Sequence, residues 1–137
     1  MKFNKLIPEL CVSDLKKSLH FYVGVLEFKL EYQREEKKFA FVSYEGSQIM
    51  LEENLDSKWK TAKLEYPFGR GINFQIEVSD VGSLLERLEK SNYPIKIRPK
   101  ENWYRKDKNL LGVKEFLVLD PDGYLLRFSQ SLGRKSL

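Results

Sequence analysis

Histidine and cysteine are almost absent from this chain of 137 residues, which has one of each, His20 and Cys11. One cysteine cannot form an internal disulfide, and one residue of each type cannot build a Cys/His zinc site. Long apolar runs are also missing, since no stretch approaches the roughly 20 residues that cross a bilayer. The opening MKFNKLIPELCVSD has no apolar core of a secretory signal. We therefore expect a cytoplasmic protein without a membrane segment.

Common catalytic motifs are missing as well. The sequence has no glycine-rich phosphate loop and no serine in a nucleophile elbow. Cys11 could act as a nucleophile, but it falls in a predicted core strand with no base beside it, which favours a packing role. His20 falls in a predicted helix, where a lone histidine is usually a surface or packing residue.

Charged residues are plentiful and mixed in sign. The net charge is +4 and the isoelectric point is about 9.1, yet acidic residues interleave with the basic ones almost everywhere. A nucleic-acid-binding surface needs clustered basic residues, so we expect a solvated mixed surface and no nucleic-acid partner.

An internal repeat is the most informative feature. Val12-Ser13-Asp14 recurs as Val78-Ser79-Asp80, 66 positions later, and each copy lies between a predicted strand and a predicted helix. The strands are predicted over Leu6–Val12 and Ile72–Val78. Ser13 or Asp14, and Ser79 or Asp80, can cap the helix that follows.

The remaining segments alternate or turn as β-structure does. Residues 38–44 and 48–52 flank a turn at Glu45-Gly46, and residues 113–119 and 124–129 flank the turn Asp120-Pro121-Asp122-Gly123. Segments LEFKLEYQ and NYPIKIRP are predicted to be extended. Residues 53–70 and 99–112 are predicted to be less regular loops that carry aromatic residues suited to binding.

Two long motifs carry a resemblance to a known family. IPELCVSDLKKSLHFYVGVLEFKL near the start and GVKEFLVLDPDGYLLRFSQ near the end resemble the vicinal oxygen chelate superfamily, the glyoxalase, bleomycin-resistance and dioxygenase group, over residues 5–130. The resemblance implies an α+β fold of paired βαβββ modules, whose curved, mostly antiparallel sheets enclose a cup. We expect one domain over residues 1–137, with modules at about 1–66 and 71–132, and a homodimer.

The resemblance also implies where a metal would be held. Metal-dependent members use four side chains, one from each of four strands, typically His, Glu or Gln. The matching positions here are Ile7, Met50, Asn73 and Arg127. Isoleucine offers no ligand atom and arginine only donates hydrogen bonds, so we expect no metal, no cofactor and no catalytic residue.

The metal-free branch that the chain is most similar to is that of the bleomycin-resistance proteins, which sequester an antibiotic between two subunits. Such proteins tend to carry a Trp near the position of Trp103, where a planar cationic tail can stack. The predicted aromatic contacts are Trp103, Tyr104, Phe39, Phe41, Trp59 and Phe68. The predicted further contacts are Glu9, Met50, Glu52, Asn73, Gln75 and Arg127. The basic net charge favours a neutral or anionic ligand over cationic bleomycin.

Two alternatives stay open at this point. One is a metal-dependent lyase, isomerase or dioxygenase of the same fold. The other is a dimer that binds only a protein partner, with a closed and fully packed cup.

Overall fold

Eight strands and two helices follow one another in the order βαβββ, twice over. The computed structural model describes all 137 residues. The first copy comprises β1 Glu9–Cys11, α1 Leu15–Leu19 continued by a π-helical segment His20–Val25, β2 Lys29–Arg34, a 3-10 turn Glu35–Lys37, β3 Phe39–Tyr44 and β4 Ser47–Glu52. The second comprises β5 Asn73–Glu77, α2 Val81–Lys90, β6 Ile97–Lys106, β7 Asn109–Leu119 and β8 Leu125–Ser136. None of the helices is both long and apolar enough to span a lipid bilayer.

Each copy forms its own four-stranded mixed sheet. The first sheet has the order β1-β4-β3-β2 and the second β5-β8-β7-β6. β1 pairs with β4 and β5 with β8 in parallel, whereas all other neighbours are antiparallel. The predicted α+β fold of two βαβββ modules is therefore confirmed.

The chain divides into two compact units, and the turn before β8 belongs to the first. Unit 1 is Met1–Arg70 with Asp120–Tyr124, and unit 2 is Gly71–Leu119 with Leu125–Leu137. Five residues of the second sequence module, Asp120–Tyr124, thus belong to the first structural unit. That the whole chain is one domain stays a prediction.

The aspartate of each repeated VSD triplet caps the following helix. Asp14 Oδ1 accepts hydrogen bonds from the backbone N–H groups of Lys16 (3.1 Å) and Lys17 (3.4 Å). Asp80 Oδ1 accepts one from the N–H of Gly82 (2.9 Å). These bonds satisfy donors that the first helical turn leaves free. Of the two capping residues considered for each helix, the second one is the cap.

The serine of the first triplet has a different role. Ser13 donates from its N–H (3.0 Å) and its hydroxyl (2.5 Å) to the carboxylate of Asp122. Asp120 in the same turn accepts from Tyr22 Oη (2.8 Å), and Tyr124 Oη donates to the Cys11 carbonyl (2.8 Å). The DPDGY turn is thus fastened to the strand–helix junction of unit 1.

Each sheet has one face that packs against its helix. In unit 1 the alternating residues Leu10, Val42 and Leu51 are at most 3% exposed. In unit 2 the core residues of α2 lie over β7 and β8, where Phe116 and Phe128 are fully buried. Side chains of the intervening residues point to the opposite face. We call these opposite surfaces the first open face and the second open face.

Two sequence predictions need correction. Residues 99–112 are not an irregular loop, because most of them form the hairpin of β6 and β7 around Asp107-Lys108. The predicted strands Leu6–Val12 and Ile72–Val78 are longer than the observed β1 and β5. β1 begins late because Pro8 has no N–H to donate and takes part only through its carbonyl, which accepts from Met50 N–H (2.9 Å). Residues 53–70 contain no strand or helix, as predicted.

Candidate functional site

Five of the predicted ligand contacts lie on the first open face. Strand pairing aligns Glu9 with Met50 and Phe41, and aligns Glu52 with Phe39. The period of two in each strand places all five side chains on one surface of the sheet. Glu9 is exposed, Met50 and Glu52 are half-buried, and both phenylalanines are buried.

The two phenylalanines are covered by other aromatic and cationic side chains. Tyr32 stacks on Phe41 with ring centroids 5.2 Å apart and planes 13° from parallel. Phe3 meets Phe41 edge-on at 5.5 Å, and the guanidinium of Arg34 lies 4.1 Å from the centroid of Phe39. Phe39 and Phe41 are consequently only 2% and 1% exposed. Phe3 itself is 56% exposed, so few contacts hold its ring over Phe41.

Two carboxylates, Glu9 and Glu52, outnumber the one guanidinium of this face, that of Arg34, and leave it with a local negative excess. Partial burial, reinforced by the negative charge of Glu52, raises the pKa of Glu9 above its ordinary value, against the opposing influence of Arg34. The face combines flat rings with carboxylates, a combination that complements planar cations.

The second open face carries the polar contacts predicted for the other module. Gln75 lies opposite Arg127, which lies opposite Leu117. Arg127 Nη2 donates a hydrogen bond to Gln75 Oε1, whereas Arg127 Nε is buried without a hydrogen-bond partner. Asn73 belongs to the same face two residues before Gln75, and it is exposed.

A buried carboxylate lies beside these residues. Glu115 is 5% exposed and accepts hydrogen bonds from Tyr104 Oη (2.5 Å) and Asn102 Nδ2 (3.2 Å). The hydrogen bond to Glu115 raises the pKa of Tyr104, because the phenol proton is held by the carboxylate. Tyr104 is therefore a proton donor fixed on the second open face.

Three predicted aromatic contacts lie elsewhere. Trp103 points to the face opposite Tyr104, where its ring lies over Gly112 and the Lys135 ammonium sits 3.8 Å from the ring centroid. Trp59 is 88% exposed in the loop after β4. Phe68 packs edge-on against Tyr124 at 5.9 Å and fastens the same loop to the DPDGY turn. Their contact with a ligand stays a prediction.

The residues present do not suit a divalent metal. No three His, Cys, Asp or Glu side chains come close enough together to hold an ion. Met50 offers a thioether beside Phe41, and Arg127 places a permanent positive charge at the matching position of unit 2. That guanidinium would repel a hard cation, and a thioether is a poor ligand for one, so neither position fits a metal ion.

Two residues of these faces were not predicted. Tyr32 aligns with Phe41 only because the pairing of β2 and β3 shifts at a bulge between Leu30 and Tyr32. Glu115 lies in the motif GVKEFLVL, where a glutamate between apolar residues could have marked the open face of a strand.

Comparison with known proteins fits this architecture. A family model described as the Glyoxalase/Bleomycin resistance protein/Dioxygenase superfamily matches residues 4–128. The chain belongs to this superfamily. Its fold is that of superfamily members with known structures.

Two curated proteins and one solved structure are similar to this chain. A Bleomycin resistance protein of Geobacillus stearothermophilus is 29% identical over 139 residues, covering 92% of this chain and 96% of the relative. A Lactoylglutathione lyase of Haemophilus influenzae is 28% identical over 131 residues, covering 91% of this chain and 90% of the relative. The crystal structure of TioX from Micromonospora sp. ML1 has a TM-score of 0.72 at 18% identity, over 95% of this chain and 100% of that one, which supports the fold alone.

Proposed function

We propose that this protein binds a small planar molecule without a metal ion and sequesters it unaltered, as an antibiotic-binding protein similar to the bleomycin-resistance proteins. One observation carries the proposal: the first open face joins the stacked rings of Phe41 and Tyr32 to the carboxylates of Glu9 and Glu52. Rings supply dispersion and a negative face, and carboxylates supply charge, so both favour a flat cationic group.

The basic net charge of the chain argues against a cationic ligand, but the charge of the first open face does not. The net charge of +4 describes the whole surface. It affects the rate of encounter more than the contacts made in the site. Because the face itself carries two carboxylates against one guanidinium, that of Arg34, a cationic ligand such as bleomycin is compatible with a basic protein. The similarity to a Bleomycin resistance protein over nearly the full length of both chains adds support.

Access to the rings requires a small rearrangement. Phe3 covers Phe41, and it belongs to the segment before β1, which has no regular structure. That segment is held by the Asn4 N–H bond to Gln48 Oε1 (2.7 Å) and the Gln48 Nε2 bond to the Lys2 carbonyl (2.7 Å). We propose that a planar ligand displaces the Phe3 ring and stacks in its place.

Titration with bleomycin in a calorimeter tests the proposal. Saturable binding is expected at micromolar protein, and the double variant Glu9→Gln/Glu52→Gln should bind at least about tenfold more weakly, the equivalent of about 1.4 kcal/mol. Glu36→Gln/Glu101→Gln is the matched control, since it removes the same charge from two exposed residues outside the face. Absence of saturable heat would remove bleomycin as a ligand, and equal weakening by the control would remove the face as its site.

A metal-dependent lyase, isomerase or dioxygenase is the alternative, and the similarity to a Lactoylglutathione lyase favours it. Elemental analysis of purified protein, followed by titration with nickel, zinc, iron or manganese, separates the two proposals. Sequestration predicts no stoichiometric tight metal, whereas one tightly bound ion per chain would replace our main proposal with the enzyme.

The remaining expectations belong to the same proposal. We propose that the protein is cytoplasmic and that it acts as a homodimer whose second copy completes the binding groove. Membership of the superfamily, with the resemblance set out from the sequence, supports both.

A further inference from the structure

Arg127 is a charged side chain whose hydrogen-bonding capacity is largely unused. Its neighbours in β8, Leu126 and Phe128, are fully buried on the helix-covered face, so Arg127 projects onto the second open face. Only Nη2 has a partner, the neutral amide oxygen of Gln75, and Nε is buried without one. A buried donor without a partner destabilises the folded protein and needs a structural reason.

No carboxylate of the protein forms an ion pair with this guanidinium. Arg127 takes part in none of the ion pairs of the structure. The strand positions directly opposite it are Gln75 and Leu117, which are uncharged. Glu115 and Glu77 lie on the same face, two residues further along their strands, and Glu115 already accepts from Tyr104 and Asn102. The positive charge of Arg127 is therefore available to a ligand.

The chemistry of the guanidinium indicates which ligand group would pair with the unused N–H of Arg127. Arginine only donates, remains charged, and presents N–H groups in a fixed fork that matches an oxyanion. A charged acceptor forms shorter and stronger bonds with it than the amide oxygen of Gln75 does. An oxyanion would pair with the unused Nε–H and displace Gln75, whose exposed side chain is free to turn away.

We propose that the second open face binds an oxyanion, a carboxylate or a phosphate, through Arg127, which supplies a fixed positive charge at the position where metal-dependent relatives are expected to hold their ion. The inference goes beyond the proposed function, because it assigns an anion site of its own to the second open face. It does not depend on a planar ligand contacting the first open face.

Proton–nitrogen NMR of the arginine side chains tests this directly. The Nε–H signal of Arg127 is assigned by its loss in Arg127→Lys. Titration with benzoate should move that signal saturably, whereas the uncharged benzamide should leave it in place, and separate titrations with acetate and phosphate decide between a carboxylate and a phosphate. Gln75→Ala should tighten benzoate binding because it removes the competing acceptor.

Two arginine variants test whether the affinity for benzoate depends on Arg127. Arg127→Gln should weaken benzoate binding at least about tenfold, while Arg134→Gln, an exposed arginine in the same strand, should leave it unchanged. The inference is overturned if no anion shifts the Arg127 signal at tens of millimolar, or if benzamide shifts it as much as benzoate. An Arg127 signal that no anion shifts, in a protein that binds bleomycin saturably, would overturn this inference alone. Anion binding at Arg127 without saturable bleomycin binding would remove bleomycin as the proposed ligand and leave this inference standing.

Discussion

At the scale of single residues, Asp120 shows burial and hydrogen bonding acting in opposite directions on one carboxyl. It accepts bonds from Tyr22 Oη (2.8 Å) and from the backbone N–H groups of Asp122 and Tyr124 (2.9 Å each). These bonds favour the charged form, yet the carboxyl is only 1% exposed. Burial is the larger effect and raises the pKa of Asp120 to about 6.

The raised pKa predicts a pH dependence of stability with a definite sign. In the folded protein Asp120 keeps its proton up to about pH 6, whereas in the unfolded chain it releases it near its ordinary value of 3.8. The folded state thus binds the extra proton between these values, and its contribution to the free energy of unfolding falls by up to about 1.4 kcal/mol per pH unit as pH rises through this window.

Urea unfolding of the wild type and of Asp120→Asn, measured from pH 4 to pH 7, checks this prediction. The asparagine cannot titrate, so the difference between the two proteins should change across the window and level off above about pH 6. Taking the difference cancels the carboxyl groups with lowered pKa values, such as Glu53, whose stabilising effect runs the other way. A difference that stays constant with pH would contradict the assignment.

At the scale of elements, the β6–β7 hairpin fixes the position of Trp103. Its ring lies flat against Gly112 on the neighbouring strand, with Gly133 on the strand beyond. An added Cβ on Gly112 would lie 2.5 Å from the Trp103 ring, closer than any ordinary contact. The glycine therefore makes room for the indole, and Lys135 covers it from solvent.

Gly112→Ala should consequently destabilise the protein by about 1–3 kcal/mol and shift the Trp103 emission toward longer wavelengths, because the ring must leave its strand. Trp59 contributes a second signal, so the emission is best measured in a Trp59→Phe background. The same glycine substitution made together with Trp103→Ala should cost much less, since the clash is then gone. Equal costs in both backgrounds would show that the backbone, not the ring, requires this glycine.

The hairpin also shows what the sequence could not indicate. β6 is the edge strand of its sheet, and most of its side chains are exposed on both faces. Alternation of apolar and polar residues arises only where one face is buried, so ENWYRKDKN carries no strand signal. Treating these residues as a loop placed Trp103 and Tyr104 in one site. As neighbours on a strand, they necessarily point to opposite faces.

The first open face was more predictable for the same reason. Phe39 and Phe41 alternate along a central strand. Met50 was matched to a ligand position of the family, and Glu9 and Glu52 share strand faces with the matching positions Ile7 and Met50 by the period of two. Strand pairing then brings Glu9, Met50 and Glu52 alongside the two phenylalanines. Tyr32 was missed because its alignment depends on a bulge, which the residue pattern of LEFKLEYQ does not mark. Periodicity thus predicted the faces of paired central strands, whereas edges and bulges required the structure.

At the scale of the whole molecule, the state of association bears on the proposed groove. Light scattering on the purified protein should give a mass of about 32 kDa, twice the 16.2 kDa of one chain, at the concentrations used for binding. A mass of one chain at every concentration, together with saturable ligand binding, would show that the second copy is not needed for the site.

The position of the DPDGY turn has a consequence for synthesis of the chain. Asp120, Asp122 and Tyr124 complete the hydrogen bonds of unit 1 at Tyr22, Ser13 and Cys11. While the ribosome is still producing the second module, the first therefore lacks this part of its network. Unit 1 becomes complete only after residue 124 has been synthesised, when Gly71–Leu119 of unit 2 has already been translated. Completion of the hydrogen-bond network of unit 1 must therefore wait for residues 120–124.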